Sequence, residues 1–125
     1  MLPDNTDGAR EVAIVCGPYR HGQDYGLHTN IHKAWEFATD LWRIYRLVLC
    51  PQLNSMMMSG IVEETAFLTA YKLLISIMQE DADLICMPHW RASVGAQAEV
   101  EHALKIQVPV YELFRSKSSL IRVKL

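Results

Sequence analysis

Met87-Pro-His-Trp-Arg-Ala-Ser-Val-Gly-Ala-Gln-Ala-Glu-Val-Glu-His-Ala-Leu104 follows the apolar run Asp83-Leu-Ile-Cys86, and its reading decides the fold. The chain leaves a strand, crosses a turn containing Pro88, Ser93 and Gly95, and enters a helix whose buried stripe is Val100, Ala103 and Leu104. The first amides of such a helix have no intrahelical acceptors, so a strand, a small-residue turn and a helix N-terminus form a ready anion site. Glu99 lies about one turn into that helix. The positive helix end favours an ionised carboxylate, which makes Glu99 the leading candidate for a working residue in its charged form.

The neighbouring segments repeat the alternation. Glu11 to Cys16 is a nearly continuous apolar run ended by Gly17-Pro18, as expected of a strand buried on both faces of a parallel sheet. The loop from Gly17 to Thr29 carries Tyr19, Arg20, His21 and His28, and its length and polarity indicate a binding loop. A helical period begins at Asn30, the expected N-cap, with Ile31, Ala34, Trp35, Ala38, Leu41, Trp42 and Tyr45 on one stripe. Arg46 to Cys50 is the second strand, stopped by Pro51. A second helix runs from Glu63 to about Gln79, with Phe67, Ala70, Tyr71, Leu74, Ile77 and Met78 on its apolar side. Asp83 to Met87 and Val108 to Leu113 are further strands, and the alternating tail from Ser118 to Leu125 reads as an edge strand.

Strands alternating with helices predict an α/β fold with a mostly parallel sheet and right-handed crossovers. Ligands bind such sheets beyond the C-terminal strand ends. Gly17 to Arg20 and Pro88 to Gly95 both fall there, so Ser93, Glu99 and Arg20 are expected to face one crevice. Residues 1–10 read as a flexible leader and 11–125 as one domain.

Composition narrows the function classes. Half of the 125 residues are hydrophobic and the net charge is -2, which gives no electrostatic reason for nucleic-acid or membrane binding. The polar, acidic N-terminus does not read as a signal peptide, and no apolar run approaches a bilayer span. Three cysteines without close spacing, Cys16, Cys50 and Cys86, argue against disulfides and zinc, and read as buried thiols of a cytoplasmic protein. A nucleophilic role stays open for Cys16, which precedes a loop. His28 and His32 are four apart, but His28 precedes the cap and no third ligand is apparent, so no metal is expected. Met56-Met57-Met58 fit either a pliable lid or core filling.

Several motifs in order resemble one group: Gly17-Pro18-Tyr19-Arg20, Asn30-Ile31, Cys50-Pro51 with Asn54, Pro88-x-Trp90, and Ser93-x-Gly95-Ala96-x-Ala98-Glu99. Together they resemble the nucleoside 2-deoxyribosyltransferase-like superfamily, closest to its small bacterial and phage proteins, over about Val12 to Leu113. The resemblance implies a flavodoxin/Rossmann-like three-layer sandwich with a mostly parallel four- to five-stranded sheet. It implies action on the N-glycosidic bond of a nucleoside or nucleoside monophosphate, by hydrolysis or by transfer of a deoxyribosyl group, without a cofactor. Glu99 takes the place of the family nucleophile and Ser93 that of a phosphate-binding serine, with Gly17, Tyr19, Arg20 and Gly95 as pocket residues. A homo-oligomer, dimer or larger, is also implied, with the helix of Trp35 and Trp42 as a possible interface.

One departure bears on chemistry. Where many members carry an aspartate that protonates the leaving base, matching on Phe67-Leu68 places Tyr71, with Glu64 or His89 as other substitutes. Losing the acid costs about 10²- to 10⁴-fold in rate. A second reading is therefore a non-catalytic nucleotide-binding or sensing protein. A third, another α/β nucleotide-binding domain, finds no G-x-G-x-x-G or P-loop fingerprint here. A second departure replaces the glycine that usually closes the first helix, in the stretch Ile44-Tyr45, and concerns stability.

Overall fold

The computed structural model describes residues 8–17, 24–51, 64–116 and 119–125. In chain order these form β1 (Val12–Cys16), α1 (Asp24–Leu41), β2 (Leu47–Leu49), α2 (Glu64–Ile77), β3 (Ala82–Cys86), α3 (Val94–Lys105), β4 (Val110–Ser116) and β5 (Ser119–Lys124). One turn of 3-10 helix, Trp90–Ala92, precedes α3. The five strands make one sheet in the order β2-β1-β3-β4-β5. The first four are parallel, and β5 turns back antiparallel against β4. The mostly parallel α/β architecture and the edge strand were both legible in the sequence.

The sheet is buried from both sides because alternate side chains of a strand point to opposite faces. Val12, Ile14 and Cys16 of β1 and Ala82, Leu84 and Cys86 of β3 pack with Ile75 of α2 and Ala96, Val100 and Ala103 of α3. Ala13 and Val15, with Ile85, pack with Ala34, Ala38 and Leu41 of α1 on the other face. Right-handed crossovers require this division: the chain steps one way from β1 to β2, then the other way to β3 and β4. The result is a three-layer arrangement. Among the described residues, no helix is long and apolar enough to cross a membrane.

The structure corrects several boundaries and faces. Helix α1 begins at Asp24, not after Asn30, so Asn30 is an interior helical residue and the loop after β1 is shorter than expected. Gly26, a poor helix former, hides that first turn from a propensity reading. His28 is therefore inside the helix too, while the exposed His32 pairs with Glu36 at 3.0 Å. The buried stripe of α1 is Ala34, Ala38 and Leu41, continued by Tyr45; Trp35 and Trp42 are 56% and 53% exposed. Ile77 and Leu104 also face outward, and Ile75 carries the contact of α2 with the core. The methionine run and Asn54 lie outside the described residues.

The edge strand turns its charge inward. Leu120 and Arg122 are buried, whereas Ile121 and Val123 are exposed. Arg122 lies with its guanidinium 4.4 Å from the Tyr111 ring centre and 3.4 Å from Asp83 Oδ2. Tyr45 donates its hydroxyl to that same carboxylate oxygen at 2.8 Å, and the Arg10 amide donates to it at 3.2 Å. Burial pushes the Tyr45 phenol upward, so it remains a donor at neutral pH. This polar knot ties β5 and Arg10, two residues before β1, to the buried start of β3.

Candidate functional site

Cys16 and Cys86 end β1 and β3 and are register partners. Strand order reverses between these two strands, which is where an open α/β sheet leaves a crevice for ligands. Helix α3 crosses beside it. Packing of Ala96, Val100 and Ala103 against the sheet turns Glu99 to the same side, and Glu99 is only 7% exposed.

The surroundings of Glu99 change its expected charge. Burial pushes its carboxyl up from the ordinary 4.5 to about 7, against the lowering effects of a hydrogen bond from Cys16 and the positive charge of Lys72. The expectation that the helix end holds it fully ionised is thus corrected. The helix-dipole effect falls off within the first turn, and desolvation outweighs it here. A carboxyl poised near neutrality can both lose and regain a proton during a reaction.

The Cys16 thiol lies 3.5 Å from Glu99 Oε2 and 3.5 Å from the Ala96 carbonyl oxygen. Its ionisation is pushed well upward by the hydrogen bond with Cys86, by burial and by the Glu99 charge. Cys16 is consequently a proton donor to the carboxylate and not a thiolate nucleophile. The alternation of Val12, Ile14 and Cys16 already placed this thiol on one sheet face. That Glu99 stood on the same side required the packing of α3.

The turn between β3 and α3 is held by its own contacts. His89 takes a left-handed conformation, φ 67°. Trp90 is buried and donates its indole N–H to Glu112 at 3.0 Å, and Arg91 reaches the same carboxylate at 2.7 Å while its guanidinium sits 4.5 Å from the Trp90 ring centre. Ser93 then caps α3, accepting the Ala96 amide at 3.2 Å. A cap of this kind contributes about 1 kcal/mol and occupies one of the free amides. Gly95 has open space: a side chain there would meet only Ser93 Oγ, at 3.9 Å.

Gly17 is different. A Cβ at this position would stand 2.8 Å from both Cβ and Sδ of Met87, so the two strand ends close only over a glycine. Gly17→Ala should cost about 1–3 kcal/mol, the range for overpacking a filled core. Chemical denaturation of G17A, M87G and G17A/M87G checks the cause, because only glycine at position 87 removes the clashing Cβ as well as the sulfur. G17A is expected to cost less in the M87G background than in wild type, and an unchanged midpoint in G17A contradicts the steric account.

Tyr71 donates its hydroxyl to the Pro51 carbonyl at 3.1 Å and stacks on Phe67. Tyr19, Arg20 and the side chain of Glu64 lie outside the described residues. A groove of about 620 Å³ opens on the opposite sheet face, between α1 and the ends of β3 to β5, lined by Phe37, Asp40, Met87, His89, Leu113 and Leu120 among others. It does not include Glu99; the buried carboxyl, not that groove, is the chemically distinctive feature. No group of metal-ligating side chains occurs among the described residues. No protein-family model, curated protein or solved structure matches this chain.

Proposed function

We propose that this chain has a flavodoxin/Rossmann-like fold and cleaves the N-glycosidic bond of a nucleoside or nucleoside monophosphate, with Glu99 as nucleophile. The observation that carries the reading is a carboxyl 7% exposed and poised near pH 7 beside the β1/β3 switch point. Its ionised oxygen attacks the anomeric carbon as the bond electrons leave with the base nitrogen, which takes up a proton. Water then attacks the anomeric carbon of the glycosyl ester, giving free sugar and restoring Glu99. A second base in place of water makes the reaction a transfer. The N-terminus of α3, beginning after Ser93, is the proposed seat of a 5′-phosphate.

The second reading is a nucleotide-binding or sensing protein. It is favoured by Tyr71, whose hydroxyl donates to a backbone carbonyl in place of a family acid. The proposal extends to a cytoplasmic homo-oligomer, with the exposed Trp35 and Trp42 face of α1 as its contact.

Incubation of the protein with a panel of nucleosides, deoxynucleosides and their monophosphates, followed by chromatography of free base, separates the readings. The enzyme reading expects base release that rises with pH through about 7, as Glu99 ionises, and is lost in Glu99→Ala. Tight binding without turnover selects the sensor.

A further inference from the structure

The thiol proton of Cys16 has two oxygen acceptors within reach, Glu99 Oε2 and the Ala96 carbonyl oxygen, each 3.5 Å away, besides the weaker sulfur acceptor of Cys86. It can serve only one of them fully. A hydrogen bond to an ionised acceptor is stronger than one to a neutral carbonyl, so the proton turns to Glu99 when the carboxyl ionises. When Glu99 is protonated, the thiol is released to the Ala96 carbonyl. Cys16 is completely buried, so water cannot take its place as donor to this oxygen from the β1 side.

We propose that Cys16 is a positioning residue for Glu99, its thiol aiming the carboxylate at the crevice and supplying the donor that supports its charged form. The assignment rests on the reading of Glu99 as the working carboxylate, but the contact is measurable without any substrate. The groups that face Glu99 are Cys16 from β1 and Lys72 from α2, with Cys86 of β3 reaching it through Cys16. Lys72 acts by charge alone on this account, while Cys16 acts by direction as well. Cys86 is equally buried and bonds Cys16 without touching Glu99, so Cys86→Ala controls for loss of volume while leaving the thiol-to-carboxylate contact in place.

The test is a carboxyl ¹³C NMR titration of Glu99 in the folded protein and its variants, run beside the pH profile of base release. Cys16→Ala removes the donor and should move the Glu99 midpoint up by about one pH unit, about tenfold less carboxylate at a pH below both midpoints. Cys16→Ser should restore the wild-type midpoint, and Cys86→Ala should move it less than Cys16→Ala. Cys16→Val, of closer size but without a donor, serves the same purpose if the alanine variant does not fold. An unmoved midpoint in the donor-free variant, an equal shift in Cys86→Ala, or failure of serine to restore it overturns the proposal. If these shifts occur while wild-type protein releases no base from any substrate, the Cys16 contact stands and the glycosidase reading falls. If base release is present but insensitive to the loss of the thiol, the enzyme reading stands and the positioning role falls.

Discussion

Arg122→Ala is expected to lower stability by about 3–5 kcal/mol, the usual result of leaving one member of a buried ion pair alone. The side chains of Arg122 and Asp83 are 1% and 0% exposed, and they face each other across 3.4 Å. Among the described residues Asp83 Oδ1 has no hydrogen-bond partner, so removing Arg122 would leave a carboxylate with the Tyr45 hydroxyl, the Arg10 amide and the more distant Arg10 guanidinium to offset its desolvation. For a chain of this size the loss corresponds to a Tm lower by roughly 10–20 °C. Calorimetry or thermal circular dichroism reads it directly. Replacing the knot as a whole, with Tyr45→Phe, Asp83→Leu and Arg122→Met together, should recover much of the stability, because the buried charges and the hydroxyl are removed together and the part-buried Arg10 amide alone loses its acceptor. A cost below about 1 kcal/mol for Arg122→Ala would contradict the account of the knot as a buried ion pair.

Glu99→Gln should move stability and activity in opposite directions. The carboxyl titrates near 4.5 when exposed and at about 7 in the fold. Below 4.5 both states carry the proton and the residue contributes no difference. Between the two values the folded state holds a proton that the unfolded chain has lost, so stability falls as pH rises. Above 7 the full cost is in place, on the order of 3 kcal/mol. Glutamine removes the charge but keeps the shape. The variant should therefore be more stable than wild type at pH 8 by about 1–3 kcal/mol, with the gain fading towards pH 4.5. Urea denaturation at pH 5 and pH 8 checks this, and a gain independent of pH would contradict the burial argument. Base release, where the enzyme reading holds, should fall by on the order of 10³-fold or more in the same variant.

Which segments form strands and helices was fixed by local pattern. Apolar runs at Val12–Cys16 and Leu84–Met87, broken by Gly17-Pro18 and Pro88, read as strands covered on both faces. The turn from Met87 to Ser93 also marks the start of α3. These signals are short-range, so they survive in the sequence alone. The first turn of α1 did not, because Gly26 speaks against a helix there.

Periodicity names a stripe but cannot say how wide it is, so Trp35 and Trp42 read as part of the stripe, core or interface, when Ala34, Ala38 and Leu41 fill the core. The tail's alternation revealed a strand, yet only a buried Asp83 and the Tyr111 ring explain why Arg122 faces inward. Glu99 follows the same division. Its place after a capped turn was readable from residue order, which is a local property. Its charge state was not, because desolvation depends on β1, α2 and α3 meeting around it, and on the Cys16 thiol that β1 brings to its oxygen from 83 residues away.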